Sequence, residues 1–138
     1  MTSDSQDETS RENKRLRQHD VQVFFTSEFR RNIRRLSKKY RRLQMDVQPT
    51  IDQLQAGQTP GEQIPRIGYR VFKVRIQNTD IDKGKRSGYR MIYYVQTSSA
   101  VILITIYSKS DQGDVTPDFI RRVIGEHEAA KKAAEERG

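Results

Sequence analysis

The ten residues AVILITIYSK, 100–109, constrain the fold more than any other part of the chain. A nearly continuous apolar run of this length is too short to span a membrane and reads as a central strand buried on both faces. Two further strands lie upstream. VFKVRIQ, 71–77, alternates cleanly, with Phe72, Val74 and Ile76 on one face and Val71, Lys73, Arg75 and Gln77 on the other. SGYRMIYYVQ, 87–96, follows the polar turn NTDIDKGKR and carries Arg90 between Tyr89 and the pair Tyr93 and Tyr94. Short polar turns join these segments, which makes the sheet mostly antiparallel.

The first half of the chain supplies the layer that covers such a sheet. VQVFF, 21–25, is a short β-prone run, and Thr26 or Ser27 can cap the helix behind it. Phe29, Ile33, Leu36 and Tyr40 then recur at steps of four, three and four, one apolar stripe on a very basic helix. Leu43, Val47, Ile51 and Leu54 repeat the pattern on a second helix, with Pro49 in its first turn or at a kink and Ala56-Gly57 at its end. Residues 57–70 are a loop punctuated by glycine and proline. Thr116-Pro117-Asp118 opens a last helix whose apolar patch is Phe119, Ile120, Val123 and Ile124.

The expected architecture is therefore α+β: a small sheet of about four strands, two N-terminal helices packed on one face, and a C-terminal helix. Residues 1–20 read as a disordered leader, 21–125 as the folded domain and 126–138 as a charged helical tail with little apolar surface. Helices gathered on one face would leave the other free. The isoleucines 102, 104 and 106 are expected under the helices, with Leu103, Thr105, Tyr107 and Lys109 opposite.

Charge says what that free face would meet. The formal net charge is +8, and the excess lies in the middle hundred residues, because 1–20 hold four basic and five acidic side chains and 121–138 hold five and four. A concentrated positive domain attracts polyanions, nucleic acid above all. The chain has no cysteine, which removes thiolate metal sites and cysteine nucleophiles. No apolar segment is long enough for a membrane span or present at the N-terminus as a signal, so a reducing compartment is expected. His19 and His127 are the only histidines and lie outside the expected sheet. No His, Asp or Glu cluster has metal-ligand spacing, so no cofactor is implied.

Lys73, Arg75, Arg90, Tyr107 and Lys109 are thus the candidate site, a cationic groove with an aromatic floor. Cations hold phosphate and a ring can stack on a base, which suits RNA. Each residue also has a plainer reading. Lys73 and Arg75 can be solvated strand residues, Arg90 can pair with a carboxylate, and strand tyrosines belong as often to a core.

The phrases FKVRIQ, GKRSGYRMIYY and ILITIYSKSDQGDVTPDFI, after two basic amphipathic helices, resemble the RelE/ParE toxins of bacterial type II toxin–antitoxin systems over residues 21–125. The similarity is greatest to RelE- and HigB-like mRNA interferases. It implies a cytoplasmic, metal-independent endoribonuclease that enters the ribosomal decoding site, cuts mRNA by attack of the 2′-hydroxyl, and is held in check by a cognate antitoxin. Carried over by position, Lys73 and Arg75 match the basic pair of the second strand, Arg90 a phosphate-binding arginine, and Lys109 the lysine after the last strand. Ser110 and Thr116 stand where the best-known members have an arginine and a tyrosine, and Tyr107 would replace the missing aromatic. The ParE branch, with the same fold, poisons DNA gyrase and has no nuclease activity. That branch and a non-catalytic RNA-binding module are the other readings.

Overall fold

The computed structural model describes residues 21–81 and 88–137; the expected leader, residues 82–86 of the polar turn and residue 87 of the expected strand lie outside them. Chain order is β1 (Gln22–Phe25), α1 (Ser27–Lys39), α2 (Leu43–Gln55), β2 (Glu62–Ile64), β3 (Val71–Ile76), β4 (Tyr89–Thr97), β5 (Ala100–Ser108) and α3 (Pro117–Arg137). The strands form one sheet in the order β1-β5-β4-β3-β2. All pairs are antiparallel except β1, which runs parallel to β5; the two helices α1 and α2 carry the chain from β1 at one edge to β2 at the other. The α+β class holds, with a fifth strand. That strand is β2, three residues inside the expected loop, paired with β3 at an edge and too short for any alternation to reveal it.

Local chemistry explains the elements. Thr26 caps α1 by accepting the Phe29 amide at 3.0 Å, and its hydroxyl donates to the Ile104 carbonyl at 2.7 Å, so one side chain starts the helix and ties it to β5. Asn32 does the same one turn later, donating to the Thr105 hydroxyl at 2.9 Å. Pro49 sits inside α2. Phe29, Leu36, Leu43, Val47 and Leu54 pack on Phe72, Val74, Met91, Tyr93 and Leu103, all buried.

The second face is not open. Ile120, Val123 and Ile124 of α3 bury against Ile92, Ile102 and Ile104, and each such burial is worth roughly 1.5–3 kcal/mol. Arg121 fastens the start of α3 by donating to the carbonyls of Ile67 at 3.0 Å and Arg66 at 2.9 Å. The expectation of a free face is corrected: an apolar β5 needs cover on both sides, and the short patch on α3 suffices for the second. The assignment of the three isoleucines changes with it. Ile92 pairs with Thr105 but Tyr93 with Leu103, so Ile104 is an extra residue in β5. This bulge shifts the phase, and Ile106 packs with α1 and α2 while Ile102 and Ile104 lie beneath α3. No helix among the described residues is long and apolar enough to cross a membrane.

Candidate functional site

The bulge also decides what stands beside Arg90. Past it, the register aligns Arg75 with Arg90 and Arg90 with Tyr107, one row across β3, β4 and β5. Lys73 is two residues along β3 on the same side, opposite Ile92. Lys109 follows the end of β5, where its amide donates to the Gly88 carbonyl at 3.1 Å. The five candidates therefore lie together toward one end of the sheet face that also carries α3.

Their accessibility differs sharply. Arg75 is exposed and Lys73 half-buried, but Arg90 is only 7% exposed and Tyr107 1%. The Arg90 guanidinium folds back on its own strand, Nη1 donating to the carbonyls of Gly88 at 3.1 Å and Tyr89 at 3.3 Å. Gly88 itself is fixed by a different neighbour. A Cβ there would stand 2.5 Å from the Ile76 carbonyl oxygen, a backbone atom that cannot give way. The glycine in SGYR is thus required by close strand packing, and the arginine two residues on closes over it.

Asp114, from the loop after β5, is the residue that sequence reasoning missed. Its Oδ1 accepts from Lys109 Nζ at 2.9 Å and from the Tyr107 hydroxyl at 3.1 Å, with Lys73 Nζ at 3.9 Å. The Lys109 hydrogen bond, helped by Tyr107 and the charge of Lys73, holds its carboxyl below the usual range. Burial, then the Asp114 hydrogen bond and charge, push the Tyr107 hydroxyl up to about 12. Within SDQGD the aspartate had only the signature of a turn, and no spacing rule links it to a lysine on β3.

The arrangement can hold an anion. It is less suited to moving protons near neutrality, because a carboxylate with a lowered pKa is a weak base and a tyrosine near 12 a poor acid. Elsewhere, an apolar groove of about 600 Å³ runs between α1 and α2, with Phe25, Phe29, Ile33, Val47 and Ile51 in its wall. It shares no residue with the cationic row.

The family model for the ParE toxin of type II toxin–antitoxin systems, parDE, matches residues 23–113, well over half of the chain. The match spans β1 to the end of β5 and stops one residue before Asp114. No curated protein matches the chain.

Proposed function

We propose that this chain, which belongs to the ParE toxin family of type II toxin–antitoxin systems, poisons DNA gyrase and leaves RNA uncut. A toxin of this class has a cognate antitoxin as its protein partner. One observation carries the reading: the Asp114 carboxylate sits among Lys73, Tyr107 and Lys109, in the place a scissile phosphate would have to take. A phosphate arriving there meets a like charge, a repulsion that the exposure of the Asp114 side chain weakens but does not remove. Arg90 is poorly placed to reach such a phosphate, since it is buried and its Nη1 is already bonded to two carbonyls. The family match agrees with the branch of these toxins that lacks nuclease activity.

A second reading has its own support. Arg75, Arg90 and Tyr107 stand in register, with Lys73 two residues along β3 and Lys109 just past β5, a grouping that a ribosome-dependent mRNA interferase would need. In that reading Asp114, whose side chain is 54% exposed on a loop, leaves its partners when RNA enters.

Inducing the toxin without its antitoxin, and following mRNA integrity and DNA breaks from the moment growth stops, separates the two. The expected result is DNA damage with intact mRNA, for the parent and for Asp114→Asn alike. Codon-positioned mRNA cuts that precede any DNA break, and that quicken in Asp114→Asn, would replace the gyrase reading with the interferase.

A further inference from the structure

The largest store of unengaged charge is not on the sheet. Helix α1 carries Arg30, Arg31, Arg34, Arg35, Lys38 and Lys39, all exposed, against a single acidic residue, Glu28. At roughly 100° per residue these six cover about half the circumference, and Phe29, Asn32, Ile33 and Leu36 fill the half that faces the sheet. Arg41 and Arg42, exposed in the turn that follows, extend the patch. Among the described residues only Arg31, with Glu28 at 3.1 Å, and Lys39, with Asp111 at 2.7 Å, have carboxylate partners on this element. Both are surface pairs, screened by water and salt, so a stronger anion displaces them at little cost.

We infer that the outer face of α1 binds the phosphate backbone of duplex DNA, without regard to sequence. The three points below favour this occupant. Residues four apart on a helix stand about 6 Å from one another, so Arg30, Arg34 and Lys38 form one row and Arg31 and Arg35 a second. Two such rows can each follow a line of phosphates. One exposed ring, Phe25, shares a groove wall with Arg30 and Arg34, and Lys39 lies over the buried Tyr40 ring, which is too little for the run of stacked bases that single strands require. Finally, a helix fits the wide major groove of B-form DNA, whereas that of A-form RNA is too narrow to admit it. The inference does not rest on the gyrase reading, since it concerns the toxin and DNA alone.

Fluorescence anisotropy of the purified full chain with a labelled 20-base-pair duplex tests it. With four phosphates neutralised, the plot of log K against log salt should have a slope of about −3.6. In the double variant Arg34→Gln/Lys38→Gln the slope should shrink by about 2, and affinity at ~50 mM salt should fall roughly tenfold or more, equally for a scrambled duplex. These side chains are exposed, so circular dichroism should be unchanged; Arg31→Gln/Arg35→Gln supplies a second pair if the first does not fold. Three outcomes would overturn the inference: both pairs binding like the parent, duplex or single-stranded RNA binding as tightly as duplex DNA, or the loss appearing in Lys73→Gln/Arg75→Gln instead.

Discussion

Two basic regions of this molecule contain similar side chains in opposite circumstances. On the sheet, Arg90 bonds to two backbone carbonyls, and Lys73 and Lys109 converge on Asp114. On α1, Arg30, Arg34 and Lys38 stand in water with no carboxylate partner among the described residues. Both regions are rich in arginine and lysine, but their chemistry differs. Charge that the fold buries or pairs with a carboxylate is largely withheld; charge left solvated is available to a ligand and to counterion exchange.

The largest effect should come from removing the charge that the fold uses most. Arg90→Ala deletes a side chain only 7% exposed and takes one donor from each of the carbonyls of Gly88 and Tyr89, of which Gly88 keeps the Lys109 amide. The expected loss is about 2–4 kcal/mol of unfolding free energy, read by urea denaturation. Arg34→Ala on α1 should stay within about 0.5 kcal/mol of the parent. Equal effects at the two positions would erase the distinction between structural and available charge. Loss of toxicity in Arg90→Ala is therefore informative only beside a stability measurement, and Arg90→Lys, which keeps a donor and most of the stem, is its useful companion.

Tyr107 offers an intermediate effect with a sign that can be worked out. Its hydroxyl ionises at about 12 in the folded chain and near 10 in an unfolded one. Between those values the unfolded state has lost the proton and the folded state keeps it, so stability falls as pH rises from about 10 to about 12. Tyr107→Phe should remove up to about 2–3 kcal/mol of that alkaline loss. At pH 7 the same change should cost only about 1 kcal/mol, for one hydrogen bond to an exposed carboxylate. Tyr89 and Tyr93 are also shifted upward by burial and remain in the variant, so the difference between the two pH curves isolates Tyr107. Superimposable curves would mean that its hydroxyl is not held as the structure has it.

How far these distinctions were legible in the sequence follows from the range of the interactions. Periods of two and of three to four residues placed Phe72, Val74 and Ile76 beneath the helices and Phe29 and Leu36 on their inner side, because those patterns are written locally. The shared face of Lys73, Arg75 and Arg90 was legible for the same reason. The bulge at Ile104 was not: an extra residue in a uniformly apolar strand leaves no mark in the hydrophobic pattern. Neither was α3 over the second face, since choosing a face is a decision between distant elements. Asp114 was the costliest omission. Its three partners come from β3, from β5 and from the residue after β5, and only the folded sheet brings them together.

The smallest effects come from removing one carboxylate from each region, which compares them most directly. Glu28 pairs with Arg31 one turn along α1 and lies in the helix's first turn, where a negative charge also favours the aligned peptide dipoles. Glu28→Gln should cost about 0.5 kcal/mol or less, and by freeing Arg31 it should tighten duplex DNA binding modestly, by roughly twofold. Asp114→Asn should also cost less than about 1 kcal/mol, since its side chain is exposed, but it acts on its surroundings differently. The negative charge that helps hold Tyr107 up is lost, so the alkaline absorbance transition of that tyrosine should move toward lower pH. DNA affinity should change far less than in Glu28→Gln, because Lys73 and Lys109 lie on the sheet and not on the helix face. A larger gain in DNA affinity from Asp114→Asn than from Glu28→Gln would reverse the comparison, placing the available charge on the sheet and making Asp114 the residue that withholds it.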